Sequence, residues 1–125
     1  MRSFESREDY LETILVLKRE KGAVRSIDVA TRMGFSKPSV SRAVSLLKAA
    51  DLLTMDKDGL LELTPSGLAM ASRVYERHCL IKTYLEAIGV SKETAAEDAC
   101  RIEHVISEES FEKLKEFMRS HGVHG

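Results

Sequence analysis

A chain of 125 residues has room for one domain of ordinary size or for two small ones sharing a core. Apolar residues at 43% and charged residues at 31% exclude a disordered chain and a membrane-embedded one. With 19 Lys and Arg against 20 Asp and Glu, the net charge of −1 excludes a histone-like polycation but leaves room for a local basic patch. Trp is absent and aromatics reach only 6%, so the core is expected from Leu, Ile, Val, Ala and Met. No apolar run approaches the roughly 20 residues that span a bilayer, and Met1-Arg2-Ser3-Phe4-Glu5 is too polar for a signal peptide. A cytoplasmic chain without a membrane partner is expected. Cys79 and Cys100 are too few for a disulfide scaffold, so each thiol is a small core residue or a ligand.

The first helix is predicted from about Ser6 to Lys21, where Tyr10, Leu11, Ile14, Leu15 and Leu17 recur at helical spacing until Gly22. A short second helix follows, with Ser26 as its cap, Ile27, Ala30 and Met33 on its inner face, and Gly34 at its end. Ser36-Lys37-Pro38 opens a third helix with a capping serine and a proline in the first turn, where the missing N–H costs nothing. Its buried stripe is Val40, Ala43, Val44 and Leu47. Leu52–Met55 and Leu60–Leu63 flank Asp56-Lys57-Asp58-Gly59 and read as a two-stranded hairpin. Thr64-Pro65-Ser66 starts a long helix running to about Ile88. Ser91 caps a fifth helix to about Ile106, and Ser107 caps a sixth from Glu108 to Ser120. The expected fold is mostly α: a winged helix-turn-helix domain over residues 1–63, then a helical metal-binding and dimerisation domain over residues 64–125.

The turn Gly34-Phe35-Ser36-Lys37 has the shortness and the glycine of a helix-turn-helix. The outer face of the third helix carries Ser36, Lys37, Ser39, Ser41 and Arg42. Small hydroxyls let a helix approach the major groove, while Lys and Arg reach phosphates or guanine edges. Between Asp28 and Asp51 lie Arg32, Lys37, Arg42 and Lys48 with no acidic residue. Lys57 marks the tip of the wing. The competing reading is a solvated face of a helical protein.

Cys100-Arg101-Ile102-Glu103-His104 carries the sharpest chemistry. Positions i, i+3 and i+4 of a helix share a face, so a thiolate, a carboxylate and an imidazole point the same way. That set suits Fe(II), Mn(II), Co(II), Ni(II) or Zn(II). Three donors on one helix do not fill a coordination sphere, and His78, Asp9 and Glu12 are available to complete it. Each also has an ordinary reading. Asp9 fits a capping box with Ser6, Glu12 and Glu103 fit solvated helix charges, His78 fits a half-buried packing residue, and Cys100 fits a small core residue. His121 and His124 fall in a Gly-flanked tail and read as unstructured surface residues. Ile102, Val105 and Ile106 with Phe111, Leu114 and Phe117 offer more apolar surface than one helical pair covers, which points to a C2 homodimer.

Asp98-Ala99-Cys100-Arg101-Ile102-Glu103-His104-Val105-Ile106-Ser107, preceded by the winged-helix pattern and Arg77-His78, resembles the diphtheria-toxin-repressor family. These are metal-activated transcriptional repressors controlling iron or manganese uptake. The resemblance runs from Tyr10-Leu11-Glu12 through the sixth helix. It implies a repressor that binds double-stranded operator DNA as a homodimer, with Mn(II) or Fe(II) as effector, no organic cofactor and no catalytic residues. Cys100, Glu103 and His104 match the iron-responsive members, whereas Asp9, Glu12 and His78 match the manganese-responsive ones. Where the iron type places ancillary donors this chain has Lys82 and Ala96, so that ancillary site is not implied. The short type, similar to manganese-transport regulators and without the small third domain of longer members, is expected. Two alternatives stay open: a winged-helix regulator without metal, and a metalloenzyme built on the Cys-Glu-His cluster.

Overall fold

In the computed structural model, which describes residues 3–122 with side chains from Arg7 on, the chain order is α1 (Ser3–Lys21), α2 (Ser26–Met33), α3 (Lys37–Ala49), β1 (Leu53–Met55), β2 (Leu61–Leu63), α4 (Pro65–Ala87), α5 (Lys92–Val105) and α6 (Glu108–Ser120). Two compact units divide it, Met1–Ser72 and Arg73–Gly125, and α4 begins in the first and continues into the second. No helix among the described residues is long and apolar enough to cross a membrane.

The first unit buries Leu11, Ile14 and Leu17 of α1 against Val29 of α2, Val40, Val44 and Leu47 of α3, and Leu53 and Leu61 of the hairpin. Helix α1 begins at Ser3, so Ser6 lies inside it rather than at its cap; the Ser6 side chain is outside the described residues. Helix α2 corrects two expectations. Its cap is Arg25, not Ser26, because Asp28 at the third helical position reaches back to accept the Arg25 backbone N–H at 2.8 Å. Its buried pair is Val29 and Ala30, while Ile27 faces solvent.

Asp28 also accepts from the Lys21 ammonium; that bond, followed by the Arg25 N–H, holds its carboxyl below the usual carboxylate range. A depressed folded value means stabilisation that is present above the unfolded pKa and lost as pH falls through the folded one. Asp28→Ala is therefore expected to cost about 1 kcal/mol at pH 7, with the deficit shrinking below pH ~4. Denaturant unfolding of both proteins at pH 7 and pH 3 checks this.

Gly34 ends α2 at φ +72°, a left-handed conformation that lets the chain turn at once into α3. Ser36 Oγ then accepts the Ser39 N–H at 3.3 Å and caps α3. The hairpin pairs Leu53 with Leu63, Thr54 with Glu62 and Met55 with Leu61. Asp56 Oδ1 closes its turn by accepting the N–H groups of Asp58 and Leu60, both at 2.9 Å. Thr64 Oγ1 accepts the Gly67 N–H at 3.0 Å and starts α4. Gly67 is there by necessity: a Cβ on it would stand 2.0 Å from the Leu52 carbonyl oxygen.

In the second unit Ser91 and Ser107 cap α5 and α6 as read from the sequence, accepting the N–H groups of Thr94 (3.3 Å) and Ser110 (3.0 Å). Its apolar core includes Val74, Ile81, Ala95, Ala99, Phe111 and Met118. Phe111 is 1% exposed, so it serves this core and not an outer surface. Val105 and Phe117, at 61% and 50%, remain on the outside, and Ile102, Ile106 and Leu114 are half-buried. His121 is not an unstructured tail residue: it ends α6, stacks on Phe117 with ring centroids 3.9 Å apart, and sets Nδ1 2.9 Å from the Phe117 carbonyl oxygen. His124 lies outside the described residues.

Candidate metal centre and nucleic-acid interface

Within the second unit, α4 supplies His78 and α5 supplies Cys100, Glu103 and His104. The i, i+3, i+4 spacing on α5 does what helical geometry dictates and turns the three side chains toward one side. His78 Nδ1 lies 2.9 Å from Glu103 Oε2 and 3.8 Å from Cys100 Sγ. One donor atom from each of these three residues falls within 4.8 Å of the other two. Neighbouring donors around one transition-metal ion are separated by roughly 3 to 4 Å, given bond lengths of 2.0–2.3 Å. His104 Nε2 is 3.4 Å from Glu103 Oε1, so the Glu103 carboxylate stands between two imidazoles. That carboxylate is fully enclosed, whereas Cys100 is exposed. A buried carboxylate flanked by imidazoles, with a thiol alongside, fits a divalent transition metal in donor type and in spacing. Asp9 and Glu12 sit on α1 in the first unit, both half-buried.

Arg77, which entered the sequence reading only as part of the Arg77-His78 pair, has a structural role that the reading did not foresee. Its buried guanidinium donates through Nη1 to the Ile106 carbonyl at 2.8 Å and the Glu103 carbonyl at 3.4 Å, and through Nη2 to Glu108 Oε2 at 3.0 Å. Those partners are 26 to 31 residues away and two are backbone oxygens, so no local pattern announces them.

In the first unit Ser36, Lys37, Ser41 and Arg42 are exposed along the start and outer face of α3. Ser39 is half-buried and engaged: its Oγ lies 2.9 Å from Ser36 Oγ and accepts from Arg42 Nη2 at 3.4 Å. Lys57 is exposed at the hairpin tip. The hairpin tip is tied back by Arg25, also missed from sequence, whose Nε donates to the Asp58 carbonyl at 3.2 Å. Arg32, counted toward the basic window, is paired with Glu20 of α1, which leaves Lys37, Arg42 and Lys48 as its exposed cations without an ion pair among the described residues.

A winged helix-turn-helix unit followed by a helical unit with a His-Cys-Glu-His cluster defines the class: a DNA-binding regulator fold joined to a metal-binding module. Residues 4–66 match the iron dependent repressor, N-terminal DNA binding domain, and residues 64–123 match the iron dependent repressor, metal binding and dimerisation domain. The chain belongs to the iron-dependent repressor family. It is 36% identical over 116 residues to the transcriptional regulator MntR of Escherichia coli O6:H1, covering 93% of this chain and 75% of that one. It is 34% identical over 114 residues to MntR of Geobacillus kaustophilus, covering 91% and 81%. Among solved structures, the manganese regulator SloR superposes with a TM-score of 0.80 at 32% identity, over 90% of this chain and 53% of that one. IdeR of T. acidophilum gives 0.79 at 29%, over 93% and 54%. The chain thus spans about three quarters of the first relative and about half of these two solved chains.

Proposed function

We propose that the chain is a divalent-metal-dependent transcriptional repressor, with Mn(II) or Fe(II) as effector, that binds operator DNA in the cytoplasm as a homodimer. The observation that carries this is the His78, Cys100 and Glu103 donor set in a chain whose first half is a winged helix. When bound, the ion supplies positive charge that lets a thiolate and several carboxylates gather at low cost. His78 and Glu103 join α4 to α5, and His104 and Cys100 extend the set along the same helix face. Asp9 and Glu12 complete it in this reading, supported by their i, i+3 spacing and their match to manganese-responsive members. Donors from both halves of the chain then favour one arrangement of the DNA-reading unit. In a twofold dimer that arrangement sets two α3 helices about 34 Å apart, one turn of DNA. Ser36, Lys37, Ser39, Ser41 and Arg42 face the duplex, with Lys57 of the wing on the backbone. Exposed Val105 and Phe117 support a dimer surface on α5 and α6. The reading is of a regulator rather than an enzyme, in line with the regulators among its relatives.

Because coupling between two ligands is reciprocal, metal should raise operator affinity by about 5- to 150-fold. The test is operator binding by the full chain with Mn(II), Fe(II), Co(II) and Zn(II) beside an apo control, with Cys100→Glu as a second arm. The variant should shift preference toward Mn(II), which oxygen donors suit. Equal affinity with and without every metal would leave a regulator that senses none.

A further inference from the structure

One groove of the first unit lies outside the donor cluster and has no assigned role. It encloses about 370 Å³ between α1 and α3. It is lined by Arg7 and Tyr10 of α1 and by Ser39, Arg42, Ala43, Leu46 and Leu47 of α3, with Tyr10 and Leu47 buried and Leu46 exposed. Two arginines and two hydroxyl-bearing residues thus line one space, and among the described residues no carboxylate does. Leu46 is 70% exposed on the same face of α3, an apolar surface that nothing within the unit covers.

The surroundings of α3 decide what this groove takes. A helix with its side chains is about 10–12 Å across and the major groove is about 12 Å wide, so a seated recognition helix has a phosphate backbone on each side. An element packed on the flank of that helix beside its DNA-facing side chains meets one of those backbones, and α1 shares this groove with Arg42 of α3. A free organic anion in the groove would collide with the duplex that Arg42 faces. The backbone phosphate is the anion the duplex itself brings, and the C–H face of its deoxyribose suits the apolar side chains of Ala43 and Leu46 that line the groove.

We propose that this groove seats one sugar-phosphate unit of the DNA backbone, with Arg7 as a sequence-independent phosphate contact that makes α1 a second DNA-contacting element. The inference rests on the reading of the chain as a DNA-binding regulator. The experiment compares the Mn(II)-loaded protein, Arg7→Ala and Arg7→Lys on an operator duplex and an unrelated duplex between 50 and 200 mM salt. Arg7→Ala is expected to weaken both by the same factor, roughly five- to tenfold, and to lower the slope of log K against log salt by about one. Arg7→Lys should keep the slope. Melting temperature and Mn(II) affinity of each variant should match the parent, since Arg7 is exposed. An unaltered slope in Arg7→Ala, or a loss confined to the operator, overturns the inference while DNA binding by the parent protein stands. A parent protein that binds neither duplex in any metal overturns the DNA-binding reading and this inference together.

Discussion

Glu103→Gln is expected to lower Mn(II) or Fe(II) affinity by at least about a hundredfold and to remove the metal dependence of DNA binding with it. The side chain is fully enclosed, with one oxygen 2.9 Å from His78 and the other 3.4 Å from His104. Glutamine keeps the volume and one acceptor but loses the negative charge that a divalent cation needs at the centre of the set. Apo stability should hold or rise slightly, because an amide costs less to bury than a carboxylate. Isothermal titration of each metal together with apo melting curves measures both effects. Unchanged metal affinity would place the ion away from Glu103 and remove the central element of the proposed site.

Arg77→Ala acts on the same region through the fold. It removes hydrogen bonds to the Glu103 and Ile106 carbonyls and to Glu108, and a guanidinium stacked 5.4 Å from the Phe111 ring centroid. The Glu103 carbonyl lies in the last turn of α5 and the Ile106 carbonyl on its C-cap, at the negative end of the helix dipole, where a cation is favourable. Their loss is expected to cost on the order of 3 kcal/mol, a fall in melting temperature of more than about 10 °C for a small unit. The deficit should appear with and without metal, in contrast to Glu103→Gln. Arg77→Lys should recover only part of it, because an ammonium cannot reproduce the planar fork that spans three acceptors. Thermal melts of the four proteins, apo and Mn(II)-loaded, separate the two roles.

What was legible in the sequence is what local geometry controls. Ser36, Ser91 and Ser107 each precede a helix by one residue and bond an N–H three positions on, so short-range chemistry alone identifies them. Cys100, Glu103 and His104 were readable together because helical spacing fixes their common face. Ser26 misled because Asp28 competes for the same helix end, and the choice is settled by Lys21 from the preceding helix. Phe111 sits on an apolar stripe, and a stripe tells which way a residue points but not how deep the opposing surface lies. The contacts of Arg25 and Arg77 were not legible because their partners include backbone oxygens many residues away, and any residue type supplies a carbonyl.

Gly67 has a consequence for how this chain can change. Ser66 and Leu68 on either side are exposed and open to substitution, while a side chain at 67 would have to displace the Leu52 carbonyl by more than an ångström. That carbonyl accepts the Thr64 N–H at 3.2 Å, so the displacement would loosen the passage from the hairpin into α4. Drift at this position is therefore closed in both directions: no larger residue enters, and no neighbouring change compensates without rebuilding the turn. The exposed hairpin tip can be rewritten freely, but the joint behind it is fixed at a single atom's width.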